Sequence, residues 1–105
     1  MRYTVDVGLQ AKTDVYNIAS YISKTLKNPD AALRHMDAFE NAATSLAMMP
    51  ERIRPSLRVG GNEIRFLPVM NYFLAFTIDG SSVKVIRVLY SRMDLSDPGL
   101  WEGLL

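Results

Sequence analysis

The stretch Glu63–Asp94, EIRFLPVMNYFLAFTIDGSSVKVIRVLYSRMD, constrains the fold more than any other part of the chain. It reads as three short strands in succession: Glu63–Pro68, Tyr72–Asp79 and Val83–Tyr90. The second connection, Asp79-Gly80-Ser81-Ser82, holds residues that tolerate a positive φ and so suits a hairpin. Along the last strand Val83, Val85 and Leu89 alternate with Ile86 and Val88, which predicts a strand covered on both faces and interior to its sheet. Arg65, Lys84 and Arg87 interrupt these apolar strands. Arginine there is costly unless it is paired or placed at a working surface.

A chain of 105 residues supports one domain with one core. Cysteine is absent, which excludes a disulfide framework, a thiol nucleophile and a thiolate metal site, and fits the reducing cytoplasm. The N-terminus, MRYTVDVGLQAKTD, lacks the apolar run of a signal peptide. No stretch approaches the roughly 20 apolar residues that span a bilayer. Neither a membrane partner nor a metal or cofactor is expected.

Net charge is only +1, yet its distribution is uneven. Between Arg52 and Arg92 lie Arg52, Arg54, Arg58, Arg65, Lys84, Arg87 and Arg92, against Glu63 and Asp79, a local excess of +5. A basic sheet of this kind either meets phosphates or an acidic partner, or spends its arginines on local acids and solvent.

Tyr3–Val7 (YTVDV) is rich in β-formers and reads as a first strand at the sheet edge. From about Gln10 to Leu26, residues Val15, Ile18, Ala19, Ile22 and Leu26 recur at helical spacing, with Lys12, Asp14, Asn17, Ser20 and Lys24 away from that stripe. Tyr16 and Tyr21 flank it and read as packing. Asn28-Pro29-Asp30 has the form of a helix start. The helix it opens, about Pro29–Met48, carries Leu33, Met36, Phe39, Ala43 and Leu46 on one face. The two helices form an antiparallel hairpin, Met48-Met49 fill core, and Pro50 stops the run. Glu51–Gly61 then reads as a basic loop. Beyond Asp94 the tail LSDPGLWEGLL suits a short helical turn, with Trp101 packing it back or anchoring a partner. The order is β-α-α-β-β-β, an α+β domain with a four-stranded, antiparallel-dominated sheet, the hairpin on one face and the other face open.

With these pieces placed, the chain resembles the RelE/ParE superfamily of toxins from bacterial type II toxin–antitoxin systems. The likeness spans about Tyr3 to Asp94. It includes Ala11-Lys12-Thr13-Asp14 followed by Ile18 and Tyr21-Ile22, then Pro29-Asp30-Ala31-Ala32, then Ser45-Leu46 and Pro50. Its most specific part is Gly61–Tyr72 (GNEIRFLPVMNY) with Arg87–Asp94 (RVLYSRMD). The resemblance implies one of two activities. The RelE-like branch cuts messenger RNA on the ribosome with basic and aromatic residues and no metal. The ParE-like branch binds and poisons DNA gyrase. Both imply a cognate antitoxin partner and a hetero-oligomer with it.

Cleavage of RNA by its 2′-hydroxyl needs a proton acceptor, a cation for the phosphorane and a donor to the leaving oxygen. Arg65, Arg87, Tyr90 and Arg92 supply cation and donor, and no acceptor presents itself. His35, the one histidine, falls on the second helix, away from the strands; Glu63 is the nearest carboxylate. In RNA-cleaving members the middle strand opens with an aromatic or His followed by Arg, whereas here the run is Tyr72-Phe73-Leu74, with Phe73 at the arginine position. An uncharged ring cannot stabilise a phosphorane. The ending Leu89–Asp94 also resembles the ParE-like form. The ParE-like reading is therefore preferred, with Arg58, Arg65, Arg87, Tyr90, Arg92 and Trp101 as candidate target- or partner-binding residues. The bland alternatives are that Arg65 and Arg87 pair with Glu63, Asp79 or Asp94, that Arg92 and Asp94 pair with each other, and that the tyrosines are core.

Overall fold

A computed structural model describes residues 2–105. The chain folds as β1 (Thr4–Val7), α1 (Leu9–Ser20), α2 (Pro29–Ser45), β2 (Pro55–Val59), β3 (Asn62–Val69), β4 (Tyr72–Asp79) and β5 (Ser82–Tyr90). The α+β class and the helical hairpin follow the sequence reading. The sheet does not: it has five strands, in the order β1-β5-β4-β3-β2. The added strand is β2, cut from the segment read as a loop. Its Pro55 and Gly-flanked end give a weak strand pattern, and pairing with β3 from Pro55↔Arg65 to Val59↔Asn62 supplies what propensity does not.

Strand β1 lies at one edge, parallel to β5, and the other pairings are antiparallel. Gly80, at φ +58°, lies in the two-residue loop between β4 and β5. On the hairpin side the core gathers Ala11, Phe39, Leu46, Leu74, Phe76, Val83, Val85 and Val88. A second cluster of Ile64, Ala75, Ile86, Leu89 and Trp101 fills the opposite face. The grouping along β5 differs from strict alternation because Ala75 faces Arg87 while Phe76 faces Val85. Ile86 is the extra residue of a bulge, and the two faces exchange phase there. That is why Val88 joins Val83 and Val85 rather than Ile86.

The hairpin departs from the prediction in detail. Asn28 caps α2 by accepting the Ala31 N–H at 3.1 Å, with Pro29 at the first helical position. The first helix, expected to run regularly to Leu26, leaves the α form at Tyr21 and completes Tyr21–Thr25 as a π turn. Leu26, Leu33 and Met36, placed by periodicity on the buried face, are exposed, while Phe39 and Leu46 are buried. Met48 and Met49 are exposed rather than core. Tyr16 and Tyr21, read as packing, are exposed as well.

The face of the sheet opposite the hairpin is not open. The tail crosses it, with a 3₁₀ turn at Pro98–Leu100 capped by the Asp97 carboxylate. Trp101 is 2% exposed, donates its indole N–H to the Leu95 carbonyl at 3.0 Å and stacks on Phe66, which stacks in turn on Phe73. Burial of a large aromatic contributes several kcal/mol, of order 3 to 5 when lost to alanine.

Candidate functional site

Most of the arginines that mark the sheet as basic are engaged within the chain. Arg87 donates from Nε to Asp14 Oδ2 at 2.9 Å and from Nη2 to Asp14 Oδ1 at 2.7 Å. Asp14 was expected on the solvent side of its helix, yet it is buried at 8% exposure. Strand β1 covers β5 only from Ser82 to Val85, so the β5 edge is unpaired beyond that point. Asp14 closes it by accepting the Val88 backbone N–H at 3.0 Å. Arg87 also donates from Nη1 to the Leu100 carbonyl at 3.2 Å. One guanidinium thus ties the hairpin, the sheet and the tail. Its pKa rises further because hydrogen bonds to the Asp14 carboxylate stabilise the charged guanidinium.

Arg65 donates to the Ile53 carbonyl at 2.6 Å, fixing the segment that leads into β2. Arg52 donates to the carbonyls of Met48 and Met49 at 2.8 and 3.1 Å, and so satisfies groups beyond the end of α2. Arg58 pairs with Glu63 at 3.1 Å on the surface. None of the partners proposed for Arg65 and Arg87 from sequence is the observed one. Asp94 does not pair with Arg92; it accepts from the Ser96 N–H and hydroxyl, which hold its carboxyl below the usual range. Arg92 is exposed and forms no ion pair among the described residues.

Tyr90 and Arg92 sit where β5 leaves the sheet, beside a set of rings that sequence did not bring together. Tyr72 packs edge-on against Tyr90 at 5.8 Å, against Phe39 at 5.6 Å and against His35 at 6.0 Å between ring centroids. His35, thought remote from the strands, therefore borders Tyr72. Its Nδ1 lies 2.8 Å from the Ala31 carbonyl, which can only accept, so Nδ1–H is the donor. Tyr72 is held above the ordinary tyrosine range by burial, and then by Tyr90 and Tyr21 nearby. The signal for this cluster was the i, i+4 spacing of His35 and Phe39, which puts both on the sheet-facing side of α2.

A groove of about 480 Å³ opens between the two helices and the sheet, lined by Val5, Val7, Val15, Met36, Phe39, Ala43, Leu74, Val85 and Val88. Lys12, Glu40 and Thr44 stand around it. The candidate residues therefore divide three ways. Arg65, Arg87 and Trp101 are embedded in the fold, Arg58 is exposed but paired with Glu63 at the β2–β3 hairpin, and Tyr90 and Arg92 are exposed without an ion pair among the described residues.

A helical hairpin thus packs over a five-stranded sheet, with an apolar groove between them. The chain belongs to the family of ParE toxins of type II toxin–antitoxin systems, parDE, which it matches over residues 5–95. Its fold is similar to a solved chain described as a chromosomal ParDE TA system from P. aeruginosa, with a TM-score of 0.72 and 16% identity over 85% of this chain and 96% of that one. No curated protein sequence matches the chain. No helix among the described residues is long and apolar enough to cross a membrane.

Proposed function

We propose that this toxin acts in the cytoplasm by binding DNA gyrase and that a cognate antitoxin neutralises it by forming a hetero-oligomer. The observation that carries the reading is the fate of the residues a nuclease would use. Arg87 is held by Asp14, Phe73 stands at the position of a cation and stacks on Phe66, and the tail covers that sheet face. Arg87 is therefore not free to meet a phosphorane and the face around Phe73 is covered, which leaves Arg92, among the described residues, as the one cation without a partner of the arginines a nuclease would use. The antitoxin assignment is supported by the groove, whose apolar walls and single Lys12 and Glu40 suit an amphipathic segment with several apolar anchors.

The test is titration of purified chain into a supercoiling reaction with purified gyrase. Loss of supercoiling is expected; full supercoiling at saturating toxin would sink the gyrase reading. Parallel mapping of messenger RNA ends in cells covers the other activity, since codon-positioned cuts would replace it with ribosome-dependent cleavage.

A further inference from the structure

We infer that the tail, residues 95–105, is a strap that lifts off the sheet as a unit, and that its latch, Arg87, is set by Asp14 from the groove side of the sheet. The inference rests on the antitoxin reading above only in what the groove holds. It adds a route by which an occupant of the groove acts on the opposite face.

The tail is folded mostly against itself. The N–H groups of Leu100, Trp101 and Leu104 bond the carbonyls of Asp97, Pro98 and Trp101, and the Trp101 indole bonds that of Leu95. Among the described residues one hydrogen bond ties the tail to the body of the fold, from Arg87 Nη1 to the Leu100 carbonyl at 3.2 Å. Trp101 is its only buried residue, with Leu95 and Leu100 partly buried beside it. A hollow of about 610 Å³ opens next to Trp101 at Val59, Gly60 and Asn62, so the tail is not sealed against the β2–β3 turn. An element held by one large side chain, two leucines and one hydrogen bond opens at a lower free energy than the strands beneath it. Its release also orphans little: the surface under it is apolar, and Asp14 keeps two of the Arg87 donors.

The latch is built into the groove. Asp14 precedes Val15 on α1, and its carboxylate accepts the Val88 N–H of β5. Val15 and Val88 both line the groove, one from the helix and one from the sheet. Asp14 is therefore the joint between those two walls, and its remaining contacts hold the guanidinium that reaches the tail. A segment seated in the groove touches both walls and holds the joint closed. The Arg87 fork is then fixed, and Leu100 with it.

The test is native-state hydrogen exchange of the full chain, read at the Leu100, Trp101 and Leu104 amides against those of β4. So short a turn has no stability of its own, so these amides exchange whenever the tail lifts. They are expected to exchange about a hundredfold faster than the β4 amides, or more, through an opening insensitive to low denaturant. Equal opening free energies for tail and β4 would overturn the strap. Arg87→Lys keeps a cation for Asp14 without the fork that spans to Leu100. It is expected to speed tail exchange about tenfold or more, the size of one hydrogen bond to a charged group, and Asp14→Asn should do the same from α1. Loss of global stability alone would speed β4 and leave the tail at its own rate, so unchanged tail exchange in both folded variants overturns the latch. Bound antitoxin is expected to slow the tail by about tenfold. A complex that protects Val15 and Val88 yet leaves the tail unchanged overturns the coupling. If the complex protects a different surface, the groove falls as the antitoxin site and the latch stands on the two variants.

Discussion

The Asp14 carboxylate of α1 takes two guanidinium donors of Arg87, the backbone N–H of Val88 and the amide of Gln10, at 2.7 to 3.3 Å. Those contacts occupy the strand edge that β1 leaves uncovered after Val85. Two motifs far apart in sequence, one in a helix and one in a strand, are halves of a single lock. Removal of one partner leaves a buried charge with no counterpart, which typically costs about 3–5 kcal/mol. Asp14→Ala and Arg87→Ala are therefore each expected to lower the Tm by roughly 10 °C or more, given about 4–8 °C per kcal/mol in a domain of this size. In a double-mutant cycle the pair should show a large coupling, since the second deletion removes the charge the first orphaned. Near-additive losses would show that the lock is not a unit. It follows that loss of activity in Arg87→Ala says nothing of catalysis unless the variant's fold is checked.

Trp101 holds the tail to the sheet through Phe66 and the Leu95 carbonyl. As the lone tryptophan it also reports on itself. Its emission is expected to be blue-shifted and resistant to acrylamide in the native protein. Trp101→Ala should cost about 3–5 kcal/mol, and the variant should bind a hydrophobic dye through the uncovered Ile64, Phe66 and Leu89 surface. A red-shifted native emission would mean that the tail stands off the sheet in solution.

How much of this was legible beforehand depended on the range of the interactions. The central strands, the Asn28 cap and the Gly80 turn follow from local chemistry, and the structure agrees with the reading at each. Strand β2 was missed because its strand character comes from pairing with β3 rather than from its own residues. Asp14 was placed on the solvent side because helical periodicity treats a carboxylate as polar. Its partner lies 73 positions on in the chain, beyond any periodic signal. The phase of β5 failed at Ile86 for a similar reason, since a bulge is a property of two strands together. The covered sheet face came from the tail, whose few apolar residues gave little warning that they would close a second core.

Acid titration offers a check on the loop contacts. The Asp94 carboxyl is lowered by the hydroxyl and N–H of Ser96, and that of Glu51 mainly by the Tyr3 hydroxyl. A depressed folded-state pKa adds stability that is present above the ordinary carboxylate range and is lost as pH falls through the folded value. Stability should therefore decline below about pH 4, the reference range for carboxylates. Both groups are solvent-exposed, so each share is small. The Ser96→Ala variant should lose the Asp94 share at neutral pH and show a shallower acid decline. An unchanged slope in that variant would place the acid sensitivity elsewhere.

A substitution at the mouth of the groove separates neutralisation from toxicity. Thr44 lines the groove from an exposed position on α2. A tryptophan there adds bulk at the mouth without displacing any buried group, so the fold should survive with a Tm close to the parent's. Thr44→Trp is expected to weaken antitoxin binding at least tenfold, which corresponds to about 1.4 kcal/mol. Growth arrest by the chain alone should be unchanged, because the substitution alters only the groove read as the antitoxin site. Co-expression with the antitoxin should then fail to rescue cells at ratios that rescue the parent. Full rescue at the parent's ratio would mean that the antitoxin binds elsewhere, and the apolar walls of Val15, Phe39 and Val85 would need another occupant.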